Sequence, residues 1–458
     1  MKNRLQLLAF SAVTSVILAA TFSSCKKEEI AQDSSIRAAA VVTVGTCSAN
    51  TLISTNTTWT SANTYVLRGK VRVQPGATLT IQAGTRIQGE CDGTLIVERD
   101  ADIIAVGTAS NPIVFTSNKA TAKAPGDWGG IIILGRAQNN QAANFGIEGI
   151  TLGTAGNNAP GYYGPGGALN NADNSGRLSY VRIEYAGQAL SANNEINALT
   201  LGSVGSGTTL DHIQVLYGND DSFEWFGGTV NASYLYSYGT VDDDFDTDYG
   251  YSGRVQFAAA VRVPSQFDVV SASNNSNGFE SDNDPESDAV TPLTSAIFAN
   301  VTVVGPTAAD GVYFGSGALL RRNTAQRIYN SVIFGYGKTG TAAVNATGAN
   351  ASAQVISSTL QNYTPGATTI PTGWAGLISS YASAVVASEP ATGTTSFTVN
   401  SLVPPTFAVD ATNLTTTTAL PSGFFVSAPY RGAFSATTTD NAGWNLAGTW
   451  LRFPTVGN

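Results

Sequence analysis

Four five-residue segments of the chain align with one another without a gap. They are Asp221-Ser222-Phe223-Glu224-Trp225, Asp243-Asp244-Phe245-Asp246-Thr247, Asn277-Gly278-Phe279-Glu280-Ser281 and Asp310-Gly311-Val312-Tyr313-Phe314. Their central residue is apolar, and successive central residues are 22 (245 − 223), 34 (279 − 245) and 33 (312 − 279) positions apart. The alternation of polar and apolar residues predicts a β-strand with its apolar side chains inside and its acidic side chains outside. The recurrence of the segment predicts a protein built from structural repeats.

No amphipathic helix separates the segments, so they predict an all-β fold, a right-handed parallel β-helix. Equivalent residues of successive coils then stack about 4.8 Å apart and form ladders. The phenylalanines are predicted to fill the interior as one ladder. Two polar ladders are formed by Asp221, Asp243 and Asn277 and by Glu224, Asp246 and Glu280. Because like charges repel at this spacing, the acidic ladders need water and salt, a cation or basic side chains to neutralise them.

Other segments extend the pattern along the chain. Residues 75–81 correspond to residues 99–105 with an offset of 24 (100 − 76). A second type of strand, which ends in a turn glycine, recurs at 179–187, 212–218, 233–239, 300–305 and 330–335. We predict that the β-helix spans residues 46–340, with a long loop excursion near 136–176, where the periodic pattern is lost. Residues 341–458 are predicted to form the final coils, an Ala/Thr/Ser-rich segment and a C-terminal cap.

The composition is typical of an extracellular β-rich protein. The chain has 458 residues, including 48 glycines, 23 basic and 32 acidic residues, and a net charge of −9; charged residues make up 12% of it. This charged fraction is about half of that in ordinary soluble domains. Because a nucleic-acid-binding surface needs clustered Lys and Arg, the acidic balance argues against nucleic acid as a partner.

The first residues form a targeting segment. Two basic residues precede the apolar run Leu5–Ala20, which is too short for a membrane span. The run ends in small residues before Cys25, and Lys26-Lys27-Glu28-Glu29 follow. This arrangement resembles a bacterial lipoprotein signal, which predicts a signal peptide over 1–24, a lipid on Cys25 and a tether over 25–45. An ordinary signal peptide with a chance cysteine is the alternative.

Two cysteines, Cys47 and Cys91, remain once Cys25 is assigned to the lipid. An oxidising compartment allows such a pair to form a disulfide. We predict a Cys47–Cys91 disulfide, which would join the first strand region to the first coils. Two free thiols are the alternative.

Several motifs resemble those of a large, uncharacterised family of Bacteroidetes surface lipoproteins. They are Asp127-Trp128-Gly129-Gly130-Ile131, Arg182-Ile183-Glu184-Tyr185-Ala186-Gly187, Phe223-Glu224-Trp225-Phe226-Gly227-Gly228, residues 242–249 and Gly278-Phe279-Glu280-Ser281-Asp282-Asn283. The similarity runs from about Trp59 to about Phe453, and it implies a pectate-lyase-like right-handed β-helix. It also implies a lipid anchor in the outer membrane and exposure on the cell surface, and residues 26–29 look like the export tag of such proteins. The resemblance does not define an activity, because β-helices serve as lyases, hydrolases, adhesins and scaffolds.

The sequence contains no complete catalytic motif. It has no Gly-rich phosphate loop and no zinc cluster, and its one histidine, His212, cannot form a two-His metal site. Because His212 alternates with the apolar residues Ile213 and Val215, we expect it to be solvated on a coil face rather than catalytic.

The acidic ladder has three interpretations. It can bind Ca²⁺, which takes six to eight oxygen ligands. The candidate calcium ligands are Asp242, Asp243, Asp244, Asp246, Asp248, Glu280, Asp282 and Asp284. It can instead carry acid/base chemistry, which in glycosidases requires two carboxylates about 5–9.5 Å apart. The catalytic candidates are Asp246, Asp248, Arg254 and Arg262. Finally, it can be structural, with turn Asp and Asn side chains bonded to backbone amides of the next coil.

These observations favour a cell-surface lipoprotein with a non-catalytic role, in which the β-helix binds a glycan or a partner protein or acts as a scaffold. Ca²⁺ is the candidate cofactor, and the outer membrane is the expected location. The alternative is a polysaccharide lyase or glycoside hydrolase of the pectate-lyase-like superfamily. In that case Arg254 or Arg262 would act as a base beside the carboxylates, whereas both would be salt-bridge partners in a scaffold.

Overall fold

A computed structural model describes most of the chain. The described residues are 39–150, 152, 160–191, 194–268, 276–285, 288–305, 314–336, 343–361, 386–387, 397–402, 405–409, 419–435 and 450–453. They form strands, turns and loops, and none of them is helical. Accordingly, this part of the chain includes no helix of the length and apolarity needed to cross a membrane.

Parallel strands make up the body of the fold. The described strands are β1 (Ala40–Ile53), β2 (Thr57–Trp59), β3 (Asn63–Val73), β4 (Thr78–Ile81), β5 (Arg86–Val97), β6 (Asp102–Val106), β7 (Ile113–Ser117), β8 (Ile131–Leu134), β9 (Phe145–Gly146), β10 (Tyr162–Tyr163), β11 (Gly176–Glu184), β12 (Ala189–Ser191), β13 (Asn194–Glu195), β14 (Leu199–Gly202), β15 (Thr209–Leu216), β16 (Phe223–Phe226), β17 (Asn231–Tyr238), β18 (Phe245–Asp248), β19 (Arg254–Val261), β20 (Phe279–Ser281), β21 (Ile297–Val304), β22 (Leu319–Leu320), β23 (Arg327–Tyr329), β24 (Val332–Phe334), β25 (Gln354–Ile356), β26 (Thr359–Gln361), β27 (Val386–Ala387), β28 (Phe397–Leu402) and β29 (Pro405–Val409). One 23-stranded sheet contains β1–β8, β11 and β14–β27, and its successive coils pair in parallel. The predicted right-handed parallel β-helix is therefore confirmed.

Each of the central coils has three faces. The acidic face contains β8, β14, β16, β18, β20 and β22. The second face is formed by the first halves of β11, β15, β17, β19 and β21, and the third face by their second halves. These long strands turn the corner between the two faces at residues with positive φ, which are Tyr180, His212, Tyr234, Phe257 and Asn300.

The corner side chains stack on one another. The ring of His212 lies between those of Tyr180 and Tyr234, with centroid distances of 4.3 and 4.4 Å. His212 is therefore part of a half-buried aromatic column, and the expectation of a solvated histidine is wrong. The simple alternation of a strand fails here because the left-handed backbone of a corner residue redirects its side chain. Stacking offsets the cost of this conformation, about 1–2 kcal/mol per residue.

Phe223, Phe245 and Phe279 occupy one interior column, as predicted. They pair in register between successive strands, and their ring centroids lie 5.8 and 5.4 Å apart. All three side chains are fully buried. Apolar ladders of this kind remove large aromatic surfaces from water, which makes them the main favourable term in the core.

The fourth aligned segment does not continue this column. Glu280 pairs with Leu319 of β22, so residue 318, and not residue 312, follows Phe279. Residues 310–313 lie outside the described part of the chain. The alignment was wrong because the coil lengthens here: 39 positions separate Glu280 from Leu319 (319 − 280), against 34 between Asp246 and Glu280 (280 − 246).

The first coils begin earlier than predicted. Ala40 pairs with Asn63 of β3, so residues 40–45 of the predicted tether already belong to the sheet. The tether boundary was wrong because the small residues at this point form a strand once β3 provides a hydrogen-bonding edge. Farther along, Thr78 pairs with Asp102, which confirms the predicted offset of 24 between the early strands.

The predicted disulfide is confirmed. It joins Cys47 in β1 to Cys91 in β5. Because β1 pairs with β3 and β3 with β5, the disulfide connects the first strand of this stack to the third. The signal peptide and Cys25 lie outside the described residues, and the lipid remains a prediction.

The described C-terminal residues lie along the side of the β-helix and form a segment that we call the strap. The strap comprises residues 419–435 and 450–453. The side-chain amide of Gln214 donates to and accepts from the backbone of Arg452, with both distances 2.9 Å. Gln256 pairs in the same way with Val426, again at 2.9 Å. The predicted cap is therefore wrong for these residues, because outward-pointing glutamines hold them along successive coils.

We expect Phe245→Ala to lower the free energy of unfolding by about 3–5 kcal/mol, because it opens a cavity between two stacked rings in a fully buried column. Denaturant titration followed by circular dichroism measures the effect. The control is Leu169→Ala, since Leu169 is 61% exposed and its truncation should change stability little. Equal stability of the two variants would contradict the assignment of this ladder to the core.

Candidate functional site

The acidic face carries a column of carboxylates that points away from the interior. Glu224, Asp246 and Glu280 are in register in β16, β18 and β20. Thr200 occupies the equivalent position before this column, and Leu319 occupies it afterwards. The column therefore has defined ends, and its carboxylates are confined to three neighbouring strands.

The carboxylates of this face are covered rather than exposed: Asp246 and Glu280 are half-buried, and others are buried. The exposed fraction is 6% for Glu224, 3% for Asp243 and 8% for Asp248. The acidic side chains lie outside the interior, as predicted, but other parts of the chain cover this face. The sequence pattern separates interior from exterior positions, but it does not show what packs on the exterior.

The loop excursion between β8 and β11 provides part of this cover. Gln141 Nε2 donates a hydrogen bond to Asp284 at 2.5 Å. The ring of Phe145 packs edge-on against Tyr249, with a centroid distance of 5.4 Å. The excursion therefore combines polar contacts with the acidic residues and aromatic contacts at the edge of the face.

The turn residues before the acidic strands form a hydrogen-bonded ladder. Asp221 accepts the backbone N–H of Asp243 at 2.8 Å, and Asp243 accepts that of Asn277 at 2.5 Å. Asn277 in turn accepts the N–H of Ser316 at 2.7 Å. Each side chain thus satisfies a backbone donor of the next coil, which is the structural role expected for Asp and Asn at turns.

Carboxylates of the described residues converge in three groups. Within each group the candidate ligand oxygens lie within 4.8 Å of one another. The groups are Asp220, Asp221 and Asp242; Asp221, Glu224 and Asp246; and Asp243, Asp246 and Glu280. Two oxygens bound to one Ca²⁺ at about 2.4 Å can be at most about 4.8 Å apart, so the reach of the ion matches these groups.

Two oxygen atoms in these groups lack a hydrogen-bond partner. They are Oδ1 of Asp242 and Oδ1 of Asp246, and both are inaccessible to solvent in the described structure. A buried carboxylate oxygen without a donor is unfavourable, because it has lost its water and gained nothing in exchange. Such atoms fit the donor set of a hard divalent cation.

Burial raises the pKa of the carboxyl groups in this cluster. Desolvation holds the pKa of Asp221, Glu224 and Asp243 well above the usual range, and neighbouring carboxylates raise it further. The same two causes raise the pKa of Asp246. Without a cation these groups retain protons at a pH at which an exposed carboxyl has lost them.

Other predicted ligands have their own partners. Asp282 binds Arg321 at 2.8 Å and Arg322 at 2.5 Å. Asp284 accepts the hydrogen bond from the loop excursion, and Asp248 accepts the backbone N–H of the next residue at 2.9 Å. The predicted ligand set is therefore divided between the carboxylate groups and residues that have hydrogen-bond or ion-pair partners of their own.

The two candidate arginines have different surroundings. Arg262 is fully buried, its Nε lies 3.0 Å from the carboxylate of Asp244, and its Nη1 donates to the carbonyl of Thr240 at 3.1 Å. It also donates to the carbonyls of two further turn residues. Arg254 lies at the start of β19, and its guanidinium group is beside Gly423 of the strap. A Cβ atom added to Gly423 would lie only 3.1 Å from Nη1 of Arg254. Arg262 thus neutralises and fixes the acidic turn, and Arg254 adjoins the strap.

Sequence reasoning left several members of the cluster out of the ligand set. Asp221 and Glu224 lie in the aligned columns and Asp220 precedes them, so the alignment already indicated that these residues lie beside the predicted ligands. Glu148 belongs to the loop excursion, and its carboxylate lies 3.4 Å from Asn197 Nδ2. No periodic pattern marks that loop, so the position of Glu148 was not predictable from the residues around it.

Taken together, the fold and the site define a right-handed parallel β-helix with a buried carboxylate cluster on one face. The sequence model of the pectate-lyase-like β-helix domain matches residues 51–395, and the chain belongs to this family. No curated protein matches the chain, and no solved structure matches it either.

In the presence of a chelator, we expect the melting temperature to rise as the pH falls from about 8 to about 5, because groups with a raised folded-state pKa bind protons more tightly in the folded state than in the unfolded state. Asp221, Glu224 and Asp243 contribute to this gain. Circular dichroism melts across this range measure it. A melting temperature that increases with pH would contradict the burial of unneutralised carboxyl groups.

Proposed function

We propose that the protein is a non-catalytic surface scaffold whose β-helix is stabilised by Ca²⁺ in the acidic face and presents its other surfaces to a glycan or a partner protein. The observation that carries this proposal is the excess of buried carboxylates over basic partners. Arg262 and Arg321 neutralise Asp244, Glu280 and Asp282, whereas the unpartnered oxygens of Asp242 and Asp246 are left without a donor.

Ca²⁺ would supply positive charge and act as a hard Lewis acid for oxygen ligands. Asp243, Asp246 and Glu280 would hold one ion between the second and third acidic strands, because their oxygens converge there. Asp221 and Glu224 would join Asp246 in holding a neighbouring ion. An ion that binds only the folded state stabilises it by about 2.7 kcal/mol at 100 times its dissociation constant.

We expect millimolar Ca²⁺ to raise the melting temperature above that in chelator, and Asp246→Asn with Asp248→Asn to abolish this rise while the fold is retained. The reason is that Asp246 belongs to two of the carboxylate groups. Calorimetric melts of both proteins, with and without Ca²⁺, measure the effect.

The matched control for this experiment is Asp92→Asn with Asp102→Asn, which removes two charges outside the acidic face and should preserve the response to Ca²⁺. Identical melting curves of the wild-type protein in chelator and in Ca²⁺ would exclude the ion. The acidic face would then be neutralised by protons, arginines and water.

The proposal also places the protein on the outer leaflet of the outer membrane, anchored by a lipid on Cys25. The small residues before Cys25 and the charged residues 26–29 support this location. The Cys47–Cys91 disulfide is in keeping with an oxidising compartment. The outward orientation is proposed from the resemblance to Bacteroidetes surface lipoproteins.

We expect Cys25→Ser to release the protein from the membrane fraction into the soluble fraction, because lipid chains would be its anchor. Fractionation with immunoblotting measures the release, and mass spectrometry of the mature wild-type N-terminus identifies the lipidated residue. A mature N-terminus other than Cys25 would contradict the anchor. Cys47→Ser is the control, since it removes a cysteine without touching the signal.

A polysaccharide lyase or glycoside hydrolase is the second candidate function. It is favoured by the neighbouring carboxyls with raised pKa, a feature that also marks catalytic acids. The burial of Arg262 and of the carboxylates weighs against it, since a substrate would need to reach them. Release of unsaturated or reducing ends from a polysaccharide by the wild-type protein, and not by the Asp246→Asn, Asp248→Asn variant, would favour the enzyme.

A further inference from the structure

A basic cluster lies on the outer surface of β5, β7 and β11. It consists of Arg86, Lys123, Arg182 and Arg452, together with one acidic residue, Glu184. Arg86 and Arg182 are both in register with Val114, which lies between them, so their Cα atoms are about 10 Å apart on one surface. Lys123 comes from the loop after β7, and Arg452 comes from the strap. Four segments distant in sequence therefore bring basic side chains to one place.

The negative charge in this cluster is already paired. Glu184 accepts a hydrogen bond from Arg182 Nε at 2.6 Å and another from the Thr116 hydroxyl at 2.7 Å. The other nearby acid, Asp127, binds Lys119 at 2.5 Å. Both carboxylates therefore already have a close partner, and the charge of Glu184 also acts on Arg86 and Lys123.

Three cations of the basic cluster remain without a carboxylate partner in the described chain. No hydrogen bond or ion pair joins the guanidinium groups of Arg86 and Arg452 to the described residues. Lys123 Nζ lies 3.5 Å from the hydroxyl of Thr116 and 5.9 Å from the ring centroid of Tyr185. These three side chains therefore have N–H donors but no carboxylate acceptor among the described residues.

Partial burial distinguishes Arg86 and Lys123 from an ordinary solvated patch, whereas Arg452 is exposed. Burial lowers the pKa of Arg86 and of Lys123; the Glu184 carboxylate offsets part of this shift, and neighbouring cations lower both pKa values further. Gathering like charges at a partly desolvated place is unfavourable unless an anion joins them. In a chain with a net charge of −9, such a concentration of basic residues does not follow from composition.

We infer that the basic cluster binds a tetrahedral oxyanion, a phosphate or sulfate group that is either free or esterified to a sugar. Guanidinium groups donate paired hydrogen bonds to such oxygens, and the lysine supplies a point charge. Donors that come from β5, from the loop after β7 and from the strap suit an acceptor with oxygens in several directions. The inference does not rest on the acidic face or on the proposed function.

Isothermal titration calorimetry with inorganic phosphate and inorganic sulfate, at an ionic strength held constant with sodium chloride, tests this site. We expect saturable binding of one ion by the full chain. Arg86→Gln and Lys123→Gln should each weaken it by at least about tenfold, which is the effect of losing one charge-assisted hydrogen bond. Circular dichroism verifies that both variants remain folded.

Lys119→Gln is the matched control, because it removes the same charge from the same loop at a residue that is paired with Asp127. It should change the affinity by less than about twofold, as expected for an exposed charge screened by salt. No binding beyond that of chloride would overturn the inference. A loss in Lys119→Gln equal to that in Lys123→Gln would also overturn it, since only the net charge would then matter.

The same titration distinguishes the two sources of the anion. A sulfated or phosphorylated oligosaccharide that binds more tightly than the inorganic ion, and loses that affinity when the ester is removed, identifies the sugar-bound group. Tighter binding of the inorganic ion identifies the free anion. Both results support the site, and the relative affinities of the two ligands identify the source of the anion.

Discussion

The in-register stacking of parallel strands is the constraint on which the rest of the structure depends. It places each residue directly beside its counterpart in the next coil, so an interaction that is favourable once is repeated along the helix. Phe223, Phe245 and Phe279 gain from this repetition. Glu224, Asp246 and Glu280 are subject to the same geometry, and for them every repetition adds a repulsion.

Two kinds of contact reduce this repulsion on the acidic face. Turn carboxylates accept backbone N–H groups of the next coil, as Asp221 does from Asp243. Buried Arg262 joins the turn carbonyls to the carboxylate of Asp244. The loop excursion covers part of the face through Gln141 and Phe145, and the lower dielectric of a covered site strengthens both the repulsion between carboxylates and their attraction to any cation. Covering the face therefore makes the charged, unneutralised state of these carboxylates less favourable.

The sequence predicted those features that depend on local periodicity. The interior column and the offset of the early strands follow from residues that alternate at fixed spacing, and the disulfide follows from the number of cysteines. Features that depend on packing between distant segments were not predictable in this way. Nothing near Glu148 indicates that it lies by Glu224, and nothing in the strap indicates that Gln214 will hold it. His212 shows a third limit of sequence-based prediction. The left-handed backbone conformation of this one residue interrupts the alternation of inward and outward side chains around it.

The strap connects residues that are far apart in the chain. Arg452 pairs with Gln214, 238 positions earlier, and the carbonyl of Trp450 accepts from Arg182, 268 positions earlier. In a simple solenoid each coil contacts only its neighbours, so coils can add in the order in which they are synthesised. Contacts of such high sequence separation can form only after the strap has been made. Completion of this fold therefore requires the strap, and until it is made the flank of the solenoid stays open to other chains and to chaperones.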